Sequence, residues 1–424
     1  MLKARQTFLF VGDIAVFVAS FVLMTAIRFD LSTQRAFVSL QASQFVWLFA
    51  IWLIVFFIFD LYAIRRINPN PRTIGLMIAA MSLNTLLGIV YFYLFPESGI
   101  TPKTNLAIIA VSSFALLVTW RRIYYHLFST RFTKRIIMLG ESSLMKHLTD
   151  MIVHNPHIGT IVAHWETVPA VTDLRADLVI AHNINPKTLL VFAQTTHTET
   201  LTLDEAYETM FAKIPLELMT DERALDYMTT HSTTASRIIY RVFEIIGASV
   251  VLLIASPFLA IAALATYIED GGPILYKQVR VGKNGTLFSI YKLRSMRLDA
   301  EKNGAKWADT HDPRITRVGT ILRKTHLDEV PQMYNIIRGD IALVGPRAER
   351  PEFVRELETQ IPYYYLRHTI KPGFTGWAQI KYRYARSIDD SKEKFEYDLY
   401  YLKNKSPLLD IGIVLKTLQI IFTH

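Results

Sequence analysis

The chain opens with four long apolar stretches separated by short polar segments. They occupy residues 8–27, 45–64, 74–95 and 106–125. Each is close to the length of about 20 residues that a helix needs to cross a bilayer. Tryptophan and tyrosine lie mostly near their ends, as aromatic belts do at membrane interfaces. The pattern predicts four transmembrane helices within residues 1–130.

Lysine and arginine flank these stretches unevenly. They concentrate before the first stretch, between the second and third, and after the fourth, and the other two loops carry fewer. By the positive-inside rule, the N-terminus and everything after residue 130 are expected in the cytoplasm. The basic residues are Lys3, Arg5, Arg65, Arg66, Arg72, Arg121, Arg122, Arg131, Lys134 and Arg135.

Two carboxylates, Asp13 and Asp60, lie in or at the edge of these stretches. Carboxylates inside a membrane are costly and often functional. The sequence shows no partner for either, and we expect them to serve helix–helix packing.

Residues 131–232 alternate between strand and helix patterns. Apolar runs at 135–140, 161–163 and 178–181 predict buried strands, and residues 144–154 predict a helix. This alternation is typical of a doubly wound parallel sheet. Gly140 is followed by Glu141 and two serines, so the later glycines of a dinucleotide site are missing. Glu141 would also repel a pyrophosphate, and a structural or regulatory module is expected.

A further apolar stretch covers residues 245–268. A fifth span is one interpretation. Pro257 in its middle cannot donate an amide hydrogen to the Leu253 carbonyl, which predicts a kink that Ser256 can ease. Basic residues flank both sides, whereas a true span is normally asymmetric. The residues favour a re-entrant helix at about 238–268, broken at Ser256 and Pro257, which enters the inner leaflet and returns.

Composition narrows the function. The chain has 424 residues, 51% of them hydrophobic, a formal net charge of +9 and no cysteine. Disulfides, cysteine-based zinc sites and a cysteine nucleophile are therefore excluded. The positive charge requires an acidic partner such as nucleic acid, anionic lipid or a phosphorylated substrate. Four spans argue against nucleic acid.

The richest chemistry lies in residues 323–352, where Asp328 and Glu329 are adjacent among several arginines. Two carboxylates can supply a nucleophile, a base or oxygen ligands for Mg²⁺. Arginine forks match phosphate oxygens. The alternative is that the acidic pair merely begins a helix. The arginines are Arg323, Arg338, Arg347 and Arg350.

The pattern of strands and helices in the rest of residues 273–424 predicts a mixed α/β domain. Strands are expected at 274–281 and 287–291 around a Gly282–Gly285 turn, with helices at 299–307, 314–322 and 389–403. Residues 408–422 form an apolar helix that either lies on the membrane or packs in the core. His311, His326 and His368 lack metal-ligand spacing, although His326 could assist a proton transfer.

Seven ordered blocks in this part of the chain resemble the bacterial sugar transferases, the monotopic phosphoglycosyl transferases. They cover nearly all of residues 233–424. The blocks are YKQVRVG at 276–282, FSIYKLRSM at 288–296, DPRITRVG at 312–319, LRKTHLDEVPQ at 322–332, GDIALVGPR at 339–347, KPGFTGWAQ at 371–379 and YDLYY at 397–401.

The resemblance implies the long form of this family. Its fold would comprise a four-helix transmembrane bundle (1–130), a degenerate Rossmann-like cytoplasmic module (131–232) and a monotopic α/β catalytic domain with a re-entrant membrane helix (233–424). Such enzymes sit in the bacterial inner membrane and begin exopolysaccharide, capsule or O-antigen repeat units. They transfer a hexose-1-phosphate from a UDP-sugar to polyprenyl phosphate, releasing UMP.

The resemblance also implies roles for individual residues. Asp328 matches the nucleophile and Glu329 its partner, and both are expected to ligate Mg²⁺, the family's cofactor. One position departs from the pattern, because Ala348 stands where the family usually has proline after the GPR arginine, which puts the rigidity of that loop in question. The expected substrate-binding residues are Lys292, Arg294, Arg323, Gln332, Arg347 and Arg350.

Two other classes of function stay open at this stage. A non-catalytic membrane scaffold would keep the spans but lose the acidic pair. A membrane-anchored nucleotide-sugar dehydratase or epimerase would need a glycine-rich NAD site, which is missing here. The sequence does not identify the sugar, and homo-oligomerisation is left open.

Overall fold

The computed structural model describes residues 2–62, 67–94, 102–128, 133–156, 158–169, 176–228, 234–300, 312–382 and 387–422. It divides the chain into two compact units, Met1–Met210 and Phe211–His424. Some sequence predictions fall outside the described residues: those on Arg65, Arg66, Arg131 and His311, and on the part of the predicted 299–307 helix after residue 300.

The first unit begins with four apolar helices, each long and apolar enough to cross a membrane. Helix α1 packs against α2 and α4, and α3 packs against the same two helices. Their shared core is rich in large side chains such as Phe17, Trp52, Phe56 and Met77. These helices mark the chain as a membrane protein, as the sequence predicted. They are α1 (Leu2–Arg28), α2 (Leu31–Ile58), α3 (Pro71–Leu94) and α4 (Pro102–His126).

The limits predicted for the second of these helices were wrong. It begins at Leu31 and ends at Ile58, whereas the apolar stretch covers residues 45–64. Its first turns mix polar and apolar positions, so hydropathy alone does not reveal them, yet Phe37 is buried there. Beyond its end, Asp60 has a φ of 58°, a left-handed conformation that an α-helix cannot continue through.

Asp13 has a partner that the sequence did not reveal. Its Oδ2 lies 2.6 Å from Nη2 of Arg121, and both side chains are buried. Arg121 also donates to the Leu61 carbonyl oxygen at 2.7 Å. Because Gly12 has no side chain, α1 can lie directly against Trp120 of α4. The carboxylate therefore joins α1 to α4, in agreement with a packing role.

A parallel four-stranded sheet follows in the same unit, with strand order β2-β1-β3-β4. The predicted strands and the first predicted helix are present. The strand β4 was not predicted, because its sequence ETLT contains only one apolar residue. Gly140, after β1, has a φ of 93°, and Ser142 caps the next helix. The elements are β1 (Arg135–Leu139), α5 (Ser143–Val153), β2 (Thr160–Trp165), β3 (Leu178–Ala181), α6 (Pro186–Thr196), β4 (Glu199–Thr202) and α7 (Leu203–Phe211).

The second unit contains α8 (Asp221–Met228) and the long apolar helix α9 (Thr234–Asp270). The chain is helical through Ser256 and Pro257, the position of the predicted break. The Ser256 hydroxyl donates to the Leu253 carbonyl at 2.8 Å. That oxygen is the one that Pro257, lacking an N–H, leaves without its helical donor. A side chain thus replaces the missing main-chain bond.

The remaining elements form the mixed α/β part of this unit. The strands β5 and β6 pair antiparallel, and β7 and β8 pair in parallel. The predicted strands at 274–281 and 287–291 and the helix at 389–403 are present within a few residues. The elements are β5 (Leu275–Val281), β6 (Leu287–Leu293), α10 (Arg317–Lys324), α11 (Gln332–Arg338), β7 (Ala342–Val344), α12 (Pro351–Gln360), β8 (Gly373–Thr375), α13 (Trp377–Lys381), α14 (Ile388–Asn404) and α15 (Pro407–Phe422).

Packing in this unit fixes the turn between α10 and α11. Helix α11 lies against α9 and β6, and Met333 and Ile336 are buried there with Ala248. Helix α10 packs against the C-terminal part of α9 through Leu322 and Ala262. The connection between the two helices is therefore held over β6, and it carries the acidic pair.

Candidate active site

Asp328 and Glu329 lie on a tight turn between α10 and α11. The turn begins at His326, whose φ of 53° reverses the chain after α10, and continues as a single 3-10 turn over Leu327–Glu329. The alternative that the acidic pair begins a helix is not supported, because α11 starts at Gln332 and no side chain caps it. The geometry instead directs the two carboxylates toward other elements.

Glu329 is the anchor of the site. Its Oε1 accepts a hydrogen bond from Nζ of Lys292 on β6 and another from Nη2 of Arg347, each at 2.6 Å. Burial alone would raise the pKa of Glu329, but Arg347 and Lys292 outweigh it and hold that pKa well below its usual value. Glu329 is therefore a permanent anion that fixes two cations, and no hydrogen bond occupies Oε2 among the described residues.

Asp328 has the opposite character. It is buried, with 7% of its surface exposed, and its carboxylate has no hydrogen-bond partner among the described residues. Burial and the negative charge of Glu329 raise the pKa of Asp328 to about 6, against the opposing effect of Lys292, Arg323 and Arg347. It stays mostly ionised at neutral pH, and no described residue forms a direct ion pair with it. Such a carboxylate is poised to act as a nucleophile.

Both carboxylates line a cavity of about 720 Å³. Most of its charged wall is cationic, so it suits a ligand with several negative charges. Residues of α12 and α14 also line the cavity. The lining includes Arg280, Lys292, Arg294, Ser295, Arg323, His326, Arg347, Glu349, Arg350, Phe353, Leu357, Ser391 and Lys394.

Five of the six predicted substrate-binding residues line this cavity: Lys292, Arg294, Arg323, Arg347 and Arg350. The sixth, Gln332, is not part of the lining. It is the first residue of α11 and is buried, and its Nε2 has no hydrogen-bond partner among the described residues.

The arginines differ in how they are held. Arg323 donates from Nε to the Ser295 hydroxyl at 3.0 Å, which directs its terminal nitrogens elsewhere. Arg294 is almost fully buried and pairs with Asp270, the last residue of α9. Arg294 thus ties the cavity wall to the apolar helix.

The loop that presents Arg347 is fixed through its main chain. Four successive carbonyl oxygens, from Pro346 to Glu349, each accept a hydrogen bond, and the donors come from three places in the unit. The bonds are Gly373 N to Pro346 O (2.8 Å), Arg367 Nη2 to Arg347 O (3.0 Å), Arg280 Nη1 to Ala348 O (3.0 Å) and Val281 N to Glu349 O (3.0 Å). The loop is therefore constrained by main-chain hydrogen bonds, although position 348 is alanine and not proline.

Sequence reasoning missed several residues of this site. Arg280 lies in one of the blocks that carry the resemblance but was given no role, and Ser391 and Lys394 lie on α14, far along the chain from Asp328. One signal was present, because Ser391 and Lys394 are three residues apart and so share a face of the helix. No spacing rule, however, connects that face with a turn near residue 328.

With this geometry established, similarity to known proteins becomes informative. A family model described as bacterial sugar transferase matches residues 235–424. An exopolysaccharide production protein of Rhizobium leguminosarum bv. phaseoli is 38% identical over 188 residues, which are 42% of this chain and 93% of that protein. The chain belongs to the bacterial sugar transferase family.

Longer relatives match the sugar transferase part in the same way. The UDP-N-acetylgalactosamine-undecaprenyl-phosphate N-acetylgalactosaminephosphotransferase of Aeromonas hydrophila is 43% identical over 185 residues, 44% of each chain. The UDP-glucose:undecaprenyl-phosphate glucose-1-phosphate transferase of Escherichia coli (strain K12) is 35% identical over 204 residues, 48% of this chain and 44% of that protein. The match thus spans less than half the length of these two relatives.

Proposed function

We propose that this protein transfers a hexose-1-phosphate from a UDP-sugar to polyprenyl phosphate and releases UMP. The observation that carries the proposal is the contrast between the two adjacent carboxylates. Glu329 is tied to Lys292 and Arg347, whereas Asp328 faces the same cationic cavity without a partner among the described residues. The relatives named as undecaprenyl-phosphate sugar-1-phosphate transferases support the choice of substrates.

In the first step, a carboxylate oxygen of Asp328 attacks the phosphorus that bears the sugar. A new O–P bond forms, the bond from that phosphorus to the bridging oxygen breaks, and the oxygen leaves with its electron pair as part of UMP. No proton has to be removed from the nucleophile, because the carboxylate is already ionised at neutral pH. Lys292 and Arg347 stabilise the charge that develops on the phosphoryl oxygens.

In the second step, an oxygen of polyprenyl phosphate attacks the same phosphorus. The bond between phosphorus and Asp328 breaks, the carboxylate is regenerated, and the product is a polyprenyl diphosphate sugar. Arg323 lies close enough to lower the pKa of Asp328 and is suited to stabilise this leaving carboxylate. The direct reaction would bring two anionic substrates together in one displacement. Covalent catalysis replaces it with two easier steps.

Mg²⁺ fits the carboxylate pair. In phosphoryl-transfer sites this ion is held by one or two carboxylates together with substrate phosphates. Asp328 and the free Oε2 of Glu329 supply such a pair, and no group of three or more ligating side chains occurs among the described residues. When bound, the ion would polarise the phosphoryl oxygens and reduce repulsion between the diphosphate and the nucleophile.

We propose that α9 is the re-entrant element that brings the site to the membrane surface. Both of its ends are attached to the same unit. Arg241 near its start donates to the Ile336 and Ile337 carbonyls at 2.6 Å each, and Glu269 near its end accepts from the amide of Arg317 at 2.7 Å. Between these attachments a straight helix would extend about 40 Å, which favours a helix bent at Pro257.

This arrangement agrees with a multi-pass protein of the bacterial inner membrane. With four spans and the distribution of basic residues, we propose that the N-terminus, the α/β module and the second unit face the cytoplasm, where UDP-sugars are found. The α/β module, predicted at residues 131–232, has the strand order β2-β1-β3-β4 of a doubly wound parallel sheet, but Glu141 after β1 is paired with Lys146 at 2.8 Å, near where a dinucleotide's phosphates would lie. We assign it a structural or regulatory role.

The test is release of UMP by the purified full-length protein. A panel of UDP-glucose, UDP-galactose and their N-acetylated forms is incubated with Mg²⁺ and polyprenyl phosphate. We expect UMP with at least one donor, loss of activity in Asp328→Asn, and wild-type activity in Lys392→Met, a control on α14 outside the cavity lining. Absence of UMP with every donor would contradict the proposed function.

A further inference from the structure

The cavity has a second cationic wall that the mechanism above does not use. Lys394 and Ser391 project from one face of α14, and Phe353 and Leu357 project from α12. Arg350, at the start of α12, lies with its guanidinium carbon 5.9 Å from the centre of the Phe353 ring. The wall thus combines cations, a hydroxyl and an aromatic face in one place.

Lys394 is an ammonium without an acceptor. Among the described residues it has no hydrogen bond and no ion pair, although two carboxylates are near it. Asp398 is held by Arg367 at 3.0 Å, and Glu349 lies 3.6 Å from Arg280. Burial lowers the pKa of Lys394, while the charge of Glu349 opposes this effect. A partly buried cation whose neighbours are already paired is costly unless a ligand supplies an anion.

The position of Lys394 relative to Arg347 indicates which anion this is. Arg347 lies between the acidic pair and the second cationic wall. It binds Glu329, and its charge also helps to lower the pKa of Lys394. A diphosphate with one phosphorus beside Asp328 and Arg347 would extend its second phosphate past Arg347 toward Lys394. That second phosphate is the one that leaves with the nucleoside.

The apolar helix meets the cavity through other residues. Asp270 at the end of α9 binds Arg294, and Pro273 and Leu275, which follow directly, are part of the lining. A substrate embedded in lipid would approach through this side. The wall of α12 and α14 is therefore assigned to the water-soluble substrate, whose base and ribose suit an aromatic ring and a hydroxyl.

We propose that Lys394 binds the phosphate of the leaving nucleoside monophosphate, and that Ser391 and Phe353 line the pocket for its nucleoside. This inference rests on the proposed function and extends it to a named subsite. When the bridging P–O bond breaks, its electron pair moves to an oxygen of this phosphate, and the ammonium stabilises the added negative charge. Lys394 then keeps its proton throughout, and nothing else is consumed.

The test measures binding of UMP itself, without turnover. Full-length protein in nanodiscs is titrated with UMP by calorimetry as wild type, Lys394→Met, Lys394→Arg and Lys392→Met. Loss of a charge-assisted hydrogen bond predicts UMP binding weaker by about tenfold or more in Lys394→Met. Lys394→Arg should recover most of the affinity, and Lys392→Met should match wild type. Should Lys394→Met fail to fold, Lys394→Gln provides the same comparison.

Kinetics separate a binding role from a structural one. Lys394→Met should raise KM for the UDP-sugar about as much as it weakens UMP binding, and leave KM for polyprenyl phosphate unchanged. UMP affinity equal to that of wild type in Lys394→Met would overturn the assignment, as would a wild-type protein that does not bind UMP. The proposed function would fail in a different way: UMP would bind to the protein, but no UDP-sugar would release UMP.

Discussion

The Arg280 side chain donates from Nη1 to the main-chain oxygen of Ala348 at 3.0 Å. This bond fixes the residue that directly follows Arg347, where the family resemblance led us to expect proline. Proline would restrict the loop by its ring, and here a side chain from β5 restricts it by a hydrogen bond. Arg280 is therefore a positioning residue for the arginine that binds Glu329.

Arg280→Met should release this loop. We expect kcat to fall about 10- to 100-fold, because small displacements of a catalytic group have effects of this size. Ala348→Pro alone should change kcat by about twofold or less, and in the Arg280→Met background it should restore part of the loss. The kinetics of UMP release measure all three variants. Wild-type kcat in Arg280→Met would show that the bond has no positioning role.

The two neighbouring carboxylates should respond in opposite ways to neutralisation. Asp328→Asn removes a buried charge without a direct partner, so Tm at pH 7.5 should rise by a few degrees while activity falls about 10³-fold or more. Glu329→Gln leaves Lys292 and Arg347 without their anion, so both Tm and activity should fall. Thermal unfolding and UMP release are measured on the same samples. A fall in Tm for Asp328→Asn would contradict the geometry described for that residue.

The pH dependence of stability can be tested at Asp410 on α15. Burial raises the pKa of Asp410 to about 6, with Glu244 adding to the shift and Tyr401 and Lys405 opposing it. The folded protein binds this proton more tightly than the unfolded chain, so the stabilisation is complete below about pH 4 and is lost as pH rises through 6. Asp410→Asn keeps an acceptor for the Tyr401 hydroxyl, which lies 2.7 Å from Oδ1.

We therefore expect Asp410→Asn to unfold at a higher temperature than wild type at pH 8. Its Tm should also change less than that of wild type between pH 4 and 6. Thermal unfolding across this range measures both effects. If the two proteins have parallel Tm profiles, Asp410 does not titrate in this window.

The path of α9 through the membrane can be tested because the chain has no cysteine. Glu222→Cys and Lys277→Cys each add one exposed thiol, before and after α9 respectively. A re-entrant helix predicts that both react with a membrane-impermeant maleimide from the same, cytoplasmic side in oriented vesicles. Labelling of the two positions from opposite sides would show that α9 spans the membrane instead.

Sequence reasoning was strongest where the signal is local. Hydropathy indicated the membrane helices, and short apolar runs gave β1, β3, β5 and β6 close to their true limits. The adjacency of Asp328 and Glu329 placed both carboxylates on one turn. Arg347 was expected at the same site from its charge and the family resemblance, and the structure joins it directly to Glu329.

What the sequence could not give depends on contacts between distant parts of the chain. Asp13 and Arg121 were considered separately, one as a lone carboxylate and the other as a flanking charge, because only the packing of α1 on α4 brings them together. Lys394 reaches the cavity only because the core around Phe395 and Leu399 packs α14 in place. The different roles of Asp328 and Glu329 could not be predicted either. They follow from the fact that Lys292 and Arg347 both bind Glu329.

The central claim is that Asp328 becomes covalently loaded during turnover. The most direct measurement is mass spectrometry of the full-length protein mixed with an accepted UDP-sugar and Mg²⁺, without polyprenyl phosphate, and then quenched and digested. We predict a mass increase of one hexose phosphate on the peptide that contains Asp328. The adduct should disappear when polyprenyl phosphate is added before quenching and should be absent in Asp328→Asn. An unmodified Asp328 peptide in a sample that has released stoichiometric UMP would contradict the account.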